Sequence, residues 1–93
     1  MQTNVDATDR QLDGNAIAGL LGSIFPVDMT RALVVCDACG SRAVLASSTV
    51  YQDGPGVIVR CTGCAAIVMR VAEDDRHWWL DLRGSRVIQL VRE

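Results

Sequence analysis

CDACGS, residues Cys36–Ser41, and RCTGCA, residues Arg60–Ala65, hold all four cysteines of a 93-residue chain in two Cys-x-x-Cys pairs. An apolar run precedes each pair, Leu33-Val34-Val35 before the first and Val57-Ile58-Val59 before the second. Each pair also has a glycine at or beside it, Gly40 and Gly63, and glycine permits the positive φ of a tight turn. The pattern reads as two knuckles, each a turn between strands with both sulfurs on one side. Two knuckles face to face put four thiolates at the corners of a tetrahedron, which Zn²⁺ accepts, with Zn–S near ~2.3 Å. The spacing agrees: the 21 residues between Cys39 and Cys61 are close to the linker of about 15–20 in paired Cys-x-x-Cys zinc sites.

Strand signals surround the knuckles. Ala32–Val35 leads into the first pair, and Ala43–Tyr51 leaves it with a bend expected near Ser47-Ser48. Gln52-Asp53-Gly54-Pro55-Gly56 is a strong turn signal, after which Val57–Arg60 runs into the second pair and Ala66–Val71 leaves it. Glu73-Asp74-Asp75-Arg76 is a polar turn. His77–Leu82 and Arg86–Val91 partly alternate polar and apolar residues about Arg83-Gly84-Ser85, which predicts a final hairpin.

Before the first pair the periodicity is helical. Ile17, Leu20, Leu21, Ile24 and Phe25 form one apolar stripe, Asp13 or Asn15 can cap its start, and Pro26 stops it. Gly19 and Gly22 weaken this helix by about 1 kcal/mol each, and either permit close approach to a neighbour or are simply tolerated. Residues 1–11 lack periodicity and read as a disordered leader; residues 12–93 read as a single domain.

A chain of this length buries only roughly 60–65% of the surface its unfolded form exposes, so a metal staple is a natural support. Apolar residues make up 49% of the composition, which hints at a partner surface or a homodimer. The formal charge is −2 and every basic residue is arginine, which leaves no lysine for a Schiff base or a phosphate loop. Neither half is strongly basic, so an electrostatic footprint for nucleic acid is missing. The polar, acidic start lacks a signal-peptide pattern and no apolar run reaches the ~20 residues of a membrane helix. A cytoplasmic location is therefore expected, where paired cysteines more often hold a metal than a disulfide.

Other uses of four thiols fit less well. A thioredoxin-like pair belongs at a helix N-terminus, whereas both pairs here sit between strands. Iron accepts the same four sulfurs and stays open as an alternative to zinc. Four cysteines close the metal's shell, so the zinc is expected to be structural and the chain not an enzyme. Arg42 and Arg60, beside the knuckles, either offset the site's negative charge or are ordinary solvated strand residues. His77 and the Glu73-Asp74-Asp75 acids read as a solvated turn.

LDGNAIAGLLGSIFPVD, CDACGS, VYQDGPGVIVRCTGCAAIVMRV and WWLDLRGSRVIQL together resemble an uncharacterised family of small zinc-ribbon proteins from high-GC bacteria. The likeness covers nearly all of the chain after the leader, with LDGN and WLDLRG its more specific parts. It implies a zinc ribbon flanked by a helix and a C-terminal hairpin, with Cys36, Cys39, Cys61 and Cys64 as ligands, and it implies no activity.

The expected fold is thus small and mainly β: antiparallel strands with two Cys-x-x-Cys knuckles, a short N-terminal amphipathic helix and a C-terminal β-hairpin. The expected function is that of a non-enzymatic, zinc-stabilised adaptor that binds another protein or itself. Trp78, Trp79, Arg83 and Arg86 are the candidate interface, with one tryptophan buried and its neighbour exposed, or both beneath the helix. Nucleic-acid binding through a basic-aromatic face of Arg83, Arg86 and Arg92 with Trp79 is the alternative, and a thiol-based redox or zinc sensor a further one. Neither a membrane nor a small-molecule substrate is expected.

Overall fold

The β-branched runs beside the cysteine pairs are strands, and they build most of the molecule. The structure, a computed structural model, describes residues 11–92. The expected leader lies outside that range except for Gln11, which opens the first strand. The strands are β1 (Gln11–Asp13), β2 (Leu33–Cys36), β3 (Arg42–Val44), β4 (Thr49–Asp53), β5 (Gly56–Arg60), β6 (Ile67–Glu73), β7 (Trp78–Asp81) and β8 (Ser85–Gln89). They form two antiparallel sheets, one of five strands in the order β1-β4-β5-β6-β7 and one of three in the order β3-β2-β8. The fold is therefore small and mainly β, with one short α-helix. No helix among the described residues is long and apolar enough to cross a membrane.

The apolar stripe before the first knuckle is helical but broken. A 3₁₀ turn at Gly14–Ile17 passes into α1 (Ala18–Gly22), and Asp13 caps the start by accepting from the Asn15 N–H at 3.0 Å. The helix stops at Gly22, before Pro26, although the N–H groups of Ile24 and Phe25 still turn back to the Leu21 carbonyl at 3.0 and 2.8 Å. Ile17 and Leu21 are buried, while Leu20, Ile24 and Phe25 lie partly buried against the core. Gly19 and Gly22 face open space, so neither serves close approach.

One face of the five-stranded sheet, with Val50, Val57, Val59, Met69 and Val71, buries itself against this helix, Met29 of a 3₁₀ turn at Met29–Arg31, and Val34 of β2. Tyr51 and Ile58 point to the other face, as the two-residue period of a strand requires.

Three segments carry the chain between sheets, the first being the helical stretch from β1 to β2. The expected bend after the first knuckle is a 3₁₀ turn at Leu45–Ser47, which ends β3 in one sheet and starts β4 in the other. Leu45 at its start is wholly buried. The third segment corrects an expectation. Trp78–Asp81 and Ser85–Gln89 do not pair as a C-terminal hairpin: β7 pairs with β6 and β8 pairs with β2. The turn itself exists, closed by the Ser85 N–H to the Leu82 carbonyl at 3.0 Å. What prevents the hairpin is the seat of Gly84. A Cβ there would lie 1.9 Å from the Ile67 carbonyl oxygen, the Gly84 carbonyl accepts from the Asp37 N–H at 2.9 Å, and the Ser85 hydroxyl donates to the Val68 carbonyl at 2.7 Å. Backbone pinned on both sides turns a hairpin signal into a crossover.

Candidate metal centre

The first knuckle joins β2 to β3 and the second joins β5 to β6, so each sheet contributes one cysteine pair. The two turns match bond for bond. In the first, the Gly40 N–H donates to the Cys36 carbonyl at 2.8 Å and the Cys36 N–H to the Ser41 carbonyl at 2.9 Å. In the second, the Ala65 N–H donates to the Cys61 carbonyl at 2.8 Å and the Cys61 N–H to the Ala66 carbonyl at 2.9 Å. The residue after each pair is left-handed, Gly40 at φ +77° and Ala65 at φ +67°. The expectation for Gly63 is corrected here: positive φ in the second knuckle falls on Ala65, because this turn places it after the second cysteine and not inside the pair. A register shift also precedes each knuckle, between Val35 and Cys36 against β8 and between Val59 and Arg60 against β6. Such irregularities re-aim the side chains that follow them.

All four sulfurs converge. The Sγ atoms of Cys36, Cys39, Cys61 and Cys64 lie within 4.8 Å of one another, and two contacts, Cys36 to Cys64 and Cys39 to Cys61, are both 3.7 Å and both cross between knuckles. The cysteines are unbridged, and a cluster of this size can hold one metal ion. Cys36 is buried at 2% exposure and ties the centre to the core; Cys39 and Cys64 face solvent.

Hydrogen bonds prepare part of the site. The Ser41 hydroxyl lies 3.2 Å from Cys61 Sγ and 3.3 Å from Cys39 Sγ, and the Gly63 N–H donates to Cys61 Sγ at 3.3 Å. The Ser41 hydroxyl, then the Cys64 and Gly63 N–H groups, bring the Cys61 thiol down to about 6, and Ser41 lowers Cys39 as well. At Cys64 the Ala66 N–H pulls downward, but desolvation and the three neighbouring thiols outweigh it and raise the group to about 11. Ser41 is the one residue of the site that the pattern of cysteines does not announce. Its signal is its place directly after Gly40 in CDACGS.

The arginines beside the centre have other attachments. Arg60 donates to the Ala65 carbonyl at 2.7 Å and lies over the Tyr51 ring at 5.8 Å, so it braces the second knuckle. Arg42 is exposed on β3. Arg86 reaches the first knuckle, with Nε 3.4 Å from the Asp37 carboxylate and Nη2 donating to the Asp37 carbonyl at 3.1 Å. Arg83 pairs with Asp81 at 2.9 Å.

Trp78 and Trp79 are both exposed, at 49% and 59%, so neither is core and neither lies beneath the helix. β7 ends its sheet, and Trp79 points to the face away from the buried Val71 while Trp78 lies at the strand's start on the Val71 face. The acidic turn before them is organised as well as solvated. Asp74 accepts from the N–H groups of Arg76 and His77 at 2.8 and 2.7 Å and from the Trp79 indole at 3.2 Å, and the His77 ring packs against Trp79 at a 49° tilt with centroids 5.6 Å apart. The Arg76 N–H, the indole and His77 hold the Asp74 carboxyl below its usual range. Next to β7 an apolar groove of about 160 Å³ opens between the sheets, walled by Phe25, Met29, Met69, Leu80, Leu82 and Leu90 among others.

Neither a curated protein nor a solved structure matches the chain. A family model does, over residues 7–93, and its description assigns no metal, partner or activity. With both knuckles and both sheets inside the matched span, the chain belongs to that family of unknown function, DUF6510.

Proposed function

We propose that the chain is a zinc ribbon whose metal is structural, and that it works as a non-enzymatic module binding another protein. The observation that carries the metal is the pair of 3.7 Å contacts between knuckles. A regular tetrahedron with Zn–S of about 2.3 Å has edges of about 3.8 Å. Four thiolates leave no position for water, which suits a structural ion and not a catalytic one. Thiolate sites persist where thiols stay reduced, so this reading places the chain in the cytoplasm.

Support for a protein partner comes from Trp78 and Leu80, exposed on the face of a groove walled by apolar side chains, and from Trp79, exposed on the opposite face of the same strand. Aromatic residues at such places are frequent interface anchors. Two of the three cations of the nucleic-acid alternative are less available, since Arg83 and Arg86 each lie against an aspartate.

Elemental analysis of protein prepared under reducing conditions is expected to return one zinc per chain, and cobalt substitution the visible bands of a tetrahedral thiolate site. Folded protein without metal, or with iron, overturns the zinc assignment. Steeply salt-dependent binding to an oligonucleotide would overturn the protein-module reading, because phosphate contacts release counterions and weaken with salt.

A further inference from the structure

Open sheet edges offer rows of unpaired N–H and C=O groups, and proteins usually shield them. Among the described residues the five-stranded sheet ends in β7, which has a neighbour there on one side only. β7 carries no proline and no lysine, and it pairs with β6 without a register shift. The other edges are less inviting: β1 and β3 have three residues each, and β8 is shifted against β2 at Cys36.

The ladder fixes which groups of β7 face outward. Antiparallel pairs alternate between hydrogen-bonded and non-hydrogen-bonded. The Asp74 N–H donates to the His77 carbonyl at 3.0 Å, so that pair is bonded. Stepping along the register, Glu73↔Trp78 is unbonded, Ala72↔Trp79 bonded and Val71↔Leu80 unbonded. The backbone N–H and C=O of Trp78 and Leu80 therefore point to the open edge. Their side chains share the face of Val71, where the groove lies, and the Trp79 side chain lies on the opposite face.

We propose that this edge pairs with β7 of a second copy, antiparallel about a two-fold axis, so that the five-stranded sheet continues into its partner. The proposal rests on the protein-module reading and names the partner as the chain itself. With Trp79 opposite the partner's Trp79, Trp78 falls opposite the partner's Leu80 and Leu80 opposite the partner's Trp78. Those are the residues whose amide groups point outward. Each bonded pair exchanges two N–H···O bonds, so two pairs exchange four.

The same register matches the side chains. A two-fold axis normal to the sheet keeps the faces, so the apolar floor beside one groove runs on into the other. Asp81 stands opposite the partner's His77, an acid against an imidazole and not against another acid. A slip of one residue would bring the wrong face around. A slip of two, Leu80 on the partner's Leu80, would call on the Leu82 carbonyl, which already accepts from the Ser85 N–H. Trp79 is held in place by Asp74 and His77, so its ordering is largely complete before association.

The area sets the strength. A tryptophan offers ~150–250 Å², so Trp78 and Trp79 at 49% and 59% exposure present on the order of 200 Å² together. With Leu80 and Leu90 the exposed apolar area along this edge, summed over both faces, is roughly 350 Å², well short of the ~800 Å² per partner of a stable interface. The expected dimer is therefore weak and transient.

Sedimentation velocity on the zinc-loaded full chain, over a range from about 2 to 400 µM, tests this. The expected result is a monomer–dimer equilibrium within the range. Leu80→Pro removes an outward N–H from an edge position where proline is tolerated, and it is expected to abolish the dimer. Trp79→Arg, at an exposed position, sets like charges together at the axis and is expected to weaken dimerisation at least tenfold; it serves alone if Leu80→Pro fails to fold. A monomer at every concentration, or a dimer indifferent to Trp79→Arg, overturns the proposal. Mass tests self-pairing by itself, while zinc content and salt-dependent binding separately test the reading beneath it.

Discussion

Ala65 holds a conformation that its counterpart in the first knuckle, Gly40, adopts without strain. An L-residue with a Cβ pays about 1–2 kcal/mol in the left-handed region. Glycine at the same place returns about 0.4–1 kcal/mol of that through a more flexible unfolded chain. Ala65→Gly is therefore expected to stabilise by roughly 0.5–1 kcal/mol and Gly40→Ala to destabilise by a similar amount, read as opposite shifts of Tm. Equal signs would show that the two turns are not equivalent. Ser41 offers a second residue-scale test. Cys61 is brought from 9.0 to about 6 in the fold, a depressed value, so its thiolate favours the fold above pH 9 and that benefit is lost as pH falls through 6. Metal must displace a proton from any thiol that still carries one. Cys61 adds no competing proton above pH 6 and adds one below it, so log affinity for Zn²⁺ is expected to fall more steeply with pH below about 6. Ser41→Ala should move that break to higher pH in a chelator-competition titration; an unmoved break removes Ser41 from this role.

Among the elements, two of the three crossings between sheets are short, and they carry the topology. Leu45–Ser47 and the Leu82–Ser85 turn each take the chain from one sheet to the other, and a glycine of LDGN or WLDLRG lies at each. A Cβ on Gly14 would come 1.8 Å from the Leu45 carbonyl oxygen, and one on Gly84 would come 1.9 Å from that of Ile67. In both cases the obstacle is backbone, which cannot swing aside as a side chain does. Gly84→Ala is expected to cost about 3 kcal/mol or more, at the upper end of overpacking losses, while Gly19→Ala in α1, facing open space, is expected to gain about 0.5–1 kcal/mol. Urea unfolding of the two variants measures both. A tolerated Gly84→Ala would mean that β8 reaches β2 by another path.

Across the whole molecule, the candidate centre joins the two sheets: Cys36 and Cys39 come from the three-stranded sheet and Cys61 and Cys64 from the five-stranded one. A structural zinc site contributes about 10–16 kcal/mol of apparent binding energy, and a net stability is typically only ~5–15 kcal/mol. Chelation is thus expected to loosen the smaller sheet first, since the larger keeps the faces of Val50, Val57, Val59, Met69 and Val71 against α1. Hydrogen exchange after chelator treatment should show β2, β3 and β8 losing protection while β5 and β6 retain it. Uniform loss would show that the metal supports one indivisible core.

The cysteine spacing alone determined that four sulfurs would meet, because two Cys-x-x-Cys turns between strands leave few other arrangements. Local chemistry likewise narrowed the cap to Asp13 or Asn15, of which the fold uses Asp13, and placed the stripe on Ile17 and Leu21, the bend near Ser47 and the turn at Gly54-Pro55. Each of these depends on residues adjacent in the chain. Pairing partners were another matter. That Trp78–Asp81 joins β6 while Ser85–Gln89 joins β2 depends on where Gly84 meets Ile67 and Asp37 meets Gly84, contacts between residues far apart in sequence. The same distance hides Ser41's place beside Cys61, the strand at Gln11–Asp13 on β4, and the exposure of both tryptophans. A turn signal specifies that the chain reverses; only the surfaces available to the strands on either side decide what they pair with.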